Sequence, residues 1–299
     1  MSKTAVVGHP VVLFAEECDR GSLREENQDT VLHVHIPLGD LMIVADGVGG
    51  NAEGATASRM VVESFYAHLS MLPHDYPAGN AIREAAERAN TQILEAARAT
   101  ESEHERMGST VVVALVQQET DGIHAWIGHI GDSRAYLARA GRLHCLTIDH
   151  SVVQDLLDRR LITPEEAEHH PEASMLARSL GYQSKVEIDI EQVALGVGDT
   201  LLLCSDGLWG FVPEYEIAAA LDVPDRTLQA AAHNLLELAL ATGGHDNIGI
   251  EMARLILPHG IVAPQHEKHI HPIAKWIVAF FLLSVIGLCV LAYLAFWAS

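Results

Sequence analysis

The sequence contains few positively charged residues. Of its 299 residues, 19 are Lys or Arg and 40 are Asp or Glu, so the formal net charge is −21. Because no basic stripe is present to contact phosphate backbones, we expect no nucleic-acid partner. The same deficit argues against adsorption of the polar part of the chain to anionic lipids.

Cysteine is also scarce. The cysteines are Cys18, Cys145, Cys204 and Cys289, and none of them has the CxxC spacing of a metal or redox motif. The first three lie in or beside apolar, strand-like runs, so we expect reduced thiols, which are typical of a cytosolic domain. The N-terminal residues lack a long apolar run with a cleavage site, and no signal peptide is predicted.

An apolar run without charges lies between Trp276 and Trp297. As a helix rising about 1.5 Å per residue, this run is long enough to cross a hydrocarbon core of about 30 Å. Tryptophans at both ends fit the membrane interfaces, and Lys268 and Lys275 precede the run. We therefore predict a single transmembrane helix, with the preceding domain in the cytoplasm at the cell membrane.

The remainder of the chain has the pattern of one domain. Strand-like runs are scattered evenly from residue 11 to residue 257, without an internal repeat or a Pro/Ser-rich linker, and this length can bury a sizeable core. We predict four segments, which are an N-terminal tail (1–10), a catalytic domain (11–257), a juxtamembrane linker (258–272) and a membrane anchor (273–299).

Within that domain, strands and helices come in pairs rather than in βαβ alternation. This order favours an α+β fold with antiparallel sheets and helices packed outside. The polar segment 151–174 is predicted to be a surface flap. Strands are predicted over residues 11–17, 31–36, 41–45, 109–116, 122–130, 133–138, 143–147, 186–194, 200–204 and 247–255, and helices over 52–69, 78–99, 151–170, 213–221 and 224–242.

The most informative stretch is Leu41–Gly54, LMIVADGVGGNAEG. Its apolar run is predicted to end at Asp46, before a glycine-rich turn, which places a carboxylate at an exposed edge. Asp132, Asp206 and Asp246 also stand beside apolar strand-like runs, next to Gly, Ser or Asn. Carboxylates gathered at strand ends are the hard oxygen ligands that Mg²⁺ and Mn²⁺ prefer.

Two plainer interpretations of these residues must be weighed. The segment Gly47–Ala52 formally fits the dinucleotide motif GxGxx(G/A). However, the following helical pattern runs to Leu69 where that motif requires a second strand, and Asp46 would repel a pyrophosphate. Turn-forming Asp-Gly and Asp-Asn pairs could explain each aspartate alone, but not the whole ordered set.

The ordered set resembles the type-2C metal-dependent serine/threonine protein phosphatases in their bacterial form. Any one motif is weak evidence of kinship, whereas the full series in order is specific and covers about residues 18–252. The motifs are Arg24-Glu25-Glu26-Asn27-Gln28-Asp29, Asp46-Gly47-Val48-Gly49-Gly50, Gly108-Ser109-Thr110, Gly131-Asp132-Ser133-Arg134, Asp149-His150-Ser151, Ala177-Arg178-Ser179-Leu180-Gly181, Cys204-Ser205-Asp206-Gly207-Leu208 and Asp246-Asn247.

The resemblance implies a four-layer αββα sandwich, in which two antiparallel sheets lie between helices and two Mn²⁺ or Mg²⁺ ions bind at one end. By match, Asp46 would bridge both ions, and Asp206 and Asp246 would complete the first site. The carbonyl of Gly47 would bind the second ion. Asp132 matches a ligand for a third ion in bacterial members.

The resemblance also implies roles around the metals and two departures from the family pattern. Arg24 matches the arginine that binds the substrate phosphate, and Gln28 and Asp29 are expected just behind the metal ligands. Gln28 stands where many relatives have Glu, at a position that acts through water. Val48 replaces the histidine of eukaryotic members, so any proton donor must be a metal-bound water or another side chain, of which His150 is the nearest candidate by motif.

The resulting hypothesis is a membrane-tethered phosphatase for phosphoserine and phosphothreonine in proteins. Two cations that share one carboxylate lower the pKa of a shared water and neutralise the charge that develops on phosphate. Expected partners are phosphorylated proteins, the substrates of a cognate serine/threonine kinase. The alternatives are an inactive phosphatase-like binding module, which would have lost a metal aspartate, and a membrane-anchored nucleotide or phosphate sensor, which should lack the second and third carboxylates.

Overall fold

Two antiparallel sheets form the centre of the fold. The computed structural model describes residues 10–99, 107–168, 170–222 and 227–257. Its strands are β1 (Val11–Asp19), β2 (Asp29–Ile36), β3 (Gly39–Val48), β4 (Gly108–Ser109), β5 (Val111–Glu119), β6 (Gly122–Ile130), β7 (Arg134–Arg139), β8 (Arg142–Cys145), β9 (Asp189–Leu195), β10 (Thr200–Cys204) and β11 (Ile248–Ile256). One sheet has the order β1-β11-β10-β7-β8, and the other has the order β2-β3-β5-β6-β9 with β4 paired to β3.

Helices cover the outer face of each sheet. The helices of the described residues are α1 (Asn51–Leu69), α2 (Ala78–Ala99), α3 (Val152–Asp158), α4 (Pro164–Glu168), α5 (Asp206–Trp209), α6 (Glu214–Leu221) and α7 (Leu228–Ala241). Helices α1 and α2 pack on the sheet that contains β3, and α5, α6 and α7 pack on the sheet that contains β11.

Alternation along each strand creates three apolar layers. In β3, Leu41 and Ile43 face α1 and α2, whereas Met42 and Val44 face the other sheet. This follows from the two-residue period of a strand, which sends successive side chains to opposite faces. One layer lies between α1, α2 and the sheet that contains β3, and a second lies between the two sheets. The third lies between the sheet that contains β11 and the helices α5, α6 and α7. The prediction of two antiparallel sheets flanked by helices is confirmed.

The structure corrects the predicted end of β3. The strand does not stop before Asp46 but continues to Val48, with Asp46 paired to Asp29 and Gly47 paired to Ser109. The short strand β4 supplies the partner for this extension, which a sequence pattern of two residues does not reveal. Asp46 therefore projects from a hydrogen-bonded strand rather than from a turn.

Two other segments differ from the predicted pattern. Strand β9 begins at Asp189, so residues 186–188 precede it. The predicted helical region 151–170 forms two short helices, α3 and α4, and the second starts at Pro164. Proline is tolerated in a first helical turn, where its missing N–H has no partner in any case.

The predicted membrane anchor and the predicted linker lie outside the described residues, as does most of the predicted tail. Among the residues that the structure describes, no helix is both long and apolar enough to cross a membrane. The membrane anchor stays a prediction, which rests on the apolar run 276–297 in the sequence.

Glu251 is a buried acid in the middle of β11. It has no solvent exposure, and its neighbours across the ladder are Glu16 in β1 and Leu203 in β10. Burial, with the nearby Glu16 carboxylate adding to it, raises the pKa of Glu251 to about 10. Glu251 is therefore a neutral carboxylic acid in the folded protein near pH 7.

We expect Glu251→Gln to stabilise the protein at alkaline pH. Between about pH 5 and pH 10 the folded state keeps a proton on Glu251 that the unfolded state releases. Each unit of rising pH therefore lowers the free energy of unfolding by up to about 1.4 kcal/mol. The amide removes that dependence. Urea unfolding at pH 5.5 and pH 8 measures it, and Glu63→Gln, on the exposed face of α1, is the control. A stability gain equal at both pH values would contradict this account.

Candidate metal centre

The predicted aspartates line one cleft at the end of the sandwich. Asp46, Asp132, Asp206 and Asp246 all border a cavity of about 400 Å³, together with Arg24, Gln28 and Gly47. Asp29 lies just behind them, paired to Asp46 in the β2–β3 ladder and only 6% exposed. The structure thus gathers all the predicted site residues at one place, and the role of each stays a prediction.

Hydrogen bonds to Ser109 and Thr110 hold the backbone of Asp46 in place. Its N–H donates to Oγ1 of Thr110 at 3.1 Å, and its carbonyl accepts from the Thr110 N–H at 2.8 Å. The hydroxyl of Ser109 donates to the same carbonyl at 3.0 Å. These contacts explain the Ser and the Thr of the Gly-Ser-Thr motif, since both residues hold the backbone from which the Asp46 side chain leaves the strand.

Asp132 is positioned by residues whose role the sequence did not reveal. It follows Gly131, whose φ of +100° suits glycine. The indole N–H of Trp209 donates to the Asp132 carbonyl at 2.9 Å. Under that indole lies Arg134, 3.5 Å from the ring centroid and bound to both carboxylate oxygens of Asp149. Arg134, the arginine of the Gly-Asp-Ser-Arg motif, therefore stabilises the loop that carries Asp132.

Asp246 is engaged at both oxygens. Its Oδ1 accepts from the Asn247 N–H at 2.8 Å, and its Oδ2 accepts from Nη2 of Arg24 at 2.7 Å. The arginine predicted to bind phosphate thus contacts one of the predicted metal ligands. Among the described residues, Asp46, Asp206 and Asp246 do not bring one oxygen each within 4.8 Å of one another.

Gln28 and Asp29 connect the site to the core. The side-chain amide of Gln28 donates to the Gly50 carbonyl at 3.2 Å, which ties it to the glycine turn after β3. Oδ2 of Asp29 accepts from the Ser205 hydroxyl at 2.6 Å. In the described part of the chain, its Oδ1 has no hydrogen-bond partner.

The carboxyl groups raise one another's pKa values. Burial, and next the charges of neighbouring aspartates, hold the pKa values of Asp46 and Asp206 well above the usual range. Burial also raises the pKa of Asp132 to about 6 and that of Asp29 to about 7. Repulsion of this kind is relieved by a cation, because opposite charge favours the ionised form.

The donor set fits Mn²⁺ or Mg²⁺. The described residues that line the cleft offer carboxylate and backbone oxygens, and none of them is a cysteine or a histidine. Zinc would favour sulfur and imidazole ligands, whereas hard cations prefer oxygen. The unpartnered Oδ1 of Asp29 adds a buried acceptor behind the same cluster.

His150 lies outside the lining of this cleft. Its ring stacks on His129 with centroids 4.5 Å apart, its Nδ1 accepts from the Gly131 N–H at 3.2 Å, and its Nε2 is 3.3 Å from Oδ2 of Asp189. Burial lowers the pKa of His150 to about 4. The ring therefore fastens the loop that carries Asp132, and the structure does not place it as a proton donor for substrate.

Serine/threonine phosphatases are among the known proteins that this chain resembles. Serine/threonine protein phosphatase PstP of Mycobacterium tuberculosis is 37% identical over 249 residues, which are 82% of this chain and 45% of PstP, so the chain spans about half the length of that relative. Serine/threonine phosphatase stp of Listeria monocytogenes is 36% identical over 78% of this chain and 91% of its own.

A solved structure extends the similarity to the backbone. The catalytic domain of PstP, in complex with 2 manganese ions, superimposes with a TM-score of 0.71 at 34% identity, covering 83% of this chain and 100% of that domain. The sequence also matches the family described as protein phosphatase 2C over residues 22–241. This chain therefore belongs to the protein phosphatase 2C family.

Proposed function

We propose that this protein hydrolyses phosphoserine and phosphothreonine in proteins, with Mn²⁺ or Mg²⁺ as its cofactor. The observation that carries the proposal is the single cleft lined by Asp46, Asp132, Asp206 and Asp246, with Arg24 beside it. The serine/threonine phosphatases PstP and stp, and the two manganese ions of the PstP catalytic domain, support it. The expected partners are phosphorylated proteins produced by a serine/threonine kinase.

The carboxylates of the cleft hold the cations. When bound, divalent cations activate water and neutralise the charge that develops on the transferring phosphoryl group. In this proposal Asp46 would hold two ions, Asp206 and Asp246 would complete the first site, and the Gly47 carbonyl would contribute to the second. Asp132 would hold a third. The inactive-module alternative is disfavoured because each of these carboxylates is present in the cleft.

Arg24 binds the substrate phosphate. Its side chain lines the cleft and is 49% exposed, so a phosphate that enters from solvent can contact it. The planar guanidinium can donate two parallel hydrogen bonds to phosphate oxygens, which a lysine cannot reproduce. Gln28 and Asp29 keep the surrounding backbone in place through Gly50 and Ser205.

We also propose that the chain is a single-pass protein of the cell membrane, with the phosphatase domain in the cytoplasm. The charge-free run from Trp276 to Trp297, with Lys268 and Lys275 before it, supports this proposal. Anchoring would restrict the enzyme to phosphoproteins at or near the membrane.

Asp46→Asn should remove nearly all activity. Because Asp46 is proposed to bridge two ions, the amide should weaken both, and kcat should fall on the order of 10³-fold, or about 4 kcal/mol. Asp132→Asn should impair turnover while two ions remain bound. Mn²⁺ stoichiometry and hydrolysis of a phosphothreonine peptide are measured together, with Asp121→Asn in the exposed β5–β6 turn as the control. An active Asp46→Asn protein would refute the assignment.

Val48→His should favour substrates with poor leaving groups. Val48 lines the cleft and carries no transferable proton, and the basic oxygen of a leaving serine benefits from a donor. The variant should accelerate phosphoserine peptides more than p-nitrophenyl phosphate and add a pH dependence near the imidazole pKa of about 6.5. Val48→Asn controls for polarity. Equal effects on both substrates would show that position 48 does not serve the leaving oxygen.

Deletion of residues 273–299 should release the protein from membranes without changing its chemistry. Hydrolysis of short phosphopeptides should stay within a few-fold of the full chain, because the cleft belongs to residues 10–257. Activity on phosphoproteins embedded in vesicles should fall, since anchoring raises the effective concentration. Sedimentation with membranes tests the anchor directly, and a full chain that stays in the soluble fraction would contradict it.

A further inference from the structure

We infer that Arg24 has a second role, in which it serves as the internal counter-ion of Asp246 and gives up that carboxylate when the first metal ion binds. Binding of the metal ion and binding of the substrate phosphate then both involve the guanidinium of Arg24. The inference rests on the metal site of the proposed function, but not on hydrolytic activity.

Because Arg24 pairs with Asp246, each oxygen of that carboxylate already accepts one hydrogen bond. Nη2 of Arg24 lies 2.7 Å from Oδ2, and the Asn247 N–H takes Oδ1 at 2.8 Å. A cation that binds Asp246 must therefore displace or share one of these donors. The Asn247 N–H is fixed by the chain, whereas the half-exposed Arg24 side chain can move into solvent.

The contact is built into the fold, because the segment around Arg24 is fastened to the loop that carries Asp246. Backbone and side-chain hydrogen bonds join the two segments on both sides of Arg24. They are Ser22 N–H and Leu23 N–H to the Gly244 carbonyl, at 2.8 and 3.2 Å, and the Asn247 side-chain amide to the carbonyls of Arg20 and Glu26, at 2.7 and 3.0 Å.

Gly21 shows how close this packing is. Its φ is +73°, and a Cβ added there would lie 2.1 Å from the Asp246 carbonyl. Only glycine therefore allows the backbone of this segment to rest on the Asp246 loop. The close packing places the backbone of this segment beside the Asp246 loop, which brings the Arg24 side chain within reach of the carboxylate.

Arg24 also stands at the proposed first metal site. In the described part of the chain, the oxygens of Asp46, Asp206 and Asp246 do not converge within 4.8 Å, and Asp246 is the member that pairs with a cationic side chain. A guanidinium and a divalent cation repel each other at such short range. Cation binding to Asp246 therefore favours release of Arg24, which is then available to phosphate oxygens.

This competition predicts effects of opposite sign for one substitution. Arg24→Ala should weaken binding of the phosphorylated substrate, because the phosphate loses its arginine. The same variant should bind Mn²⁺ more tightly, because Asp246 loses its competitor. A purely structural role for Arg24 would instead weaken both.

The test is a calorimetric Mn²⁺ titration of the metal-stripped, full-length protein without any phosphorylated compound. Exposed ion pairs contribute up to about 1 kcal/mol, so we expect Arg24→Ala to tighten the site by about 3- to 5-fold. Arg24→Lys, which keeps the charge without the fork, should lie between. Arg20→Ala is the matched control, since Arg20 lies in the same segment and its side chain contacts only the Glu25 carbonyl in the described structure, at 3.4 Å.

Asp246→Asn closes the thermodynamic cycle. In that background, Arg24→Ala should no longer change Mn²⁺ affinity, because the competed carboxylate is gone. Unchanged or weaker Mn²⁺ binding by Arg24→Ala in the Asp246 protein would overturn the inference. A protein that hydrolyses no phosphopeptide but shows the tighter Mn²⁺ binding would overturn the proposed function and leave this inference standing.

Discussion

Mutual repulsion among buried carboxylates is the constraint on which this site depends. Asp46, Asp206 and Asp132 lie at one end of the sandwich, where burial, and next the charges of neighbouring aspartates, raise their pKa values. Side chains that repel each other stay together only if rigid backbone holds them there. The three apolar layers supply that rigidity, because they fix the ends of β3, β6 and β10 from which these residues project.

The polar contacts of the cleft also hold the carboxylates in place. Thr110 and Ser109 hold the backbone of Asp46, and Trp209 holds that of Asp132. None of these groups needs to touch a substrate to matter for the site. A cation with oxygen ligands relieves the repulsion, so the binding of metal and the order of the carboxylates are expected to be coupled.

Much of this arrangement could be predicted from the sequence. The apolar run LMIVA predicted the buried strand β3, and the ordered motifs predicted that Asp46, Asp132, Asp206 and Asp246 share one site. What escaped prediction depends on pairing between distant segments. The extension of β3 to Val48 needs β4, and the burial of His150 against His129 and Asp189 needs the completed sheet. The Arg24–Asp246 pair joins residues more than 200 positions apart, beyond any local pattern.

The central claim is that cations held by these aspartates hydrolyse protein phosphomonoesters. The most direct measurement is the rate of phosphate release from a phosphothreonine peptide by the purified, metal-stripped protein as Mn²⁺ is added and then removed with EDTA. The account predicts no release without metal, saturable release with Mn²⁺, and reversal by EDTA. Release that persists in EDTA, or a folded and Mn²⁺-loaded protein that releases no phosphate, would contradict it.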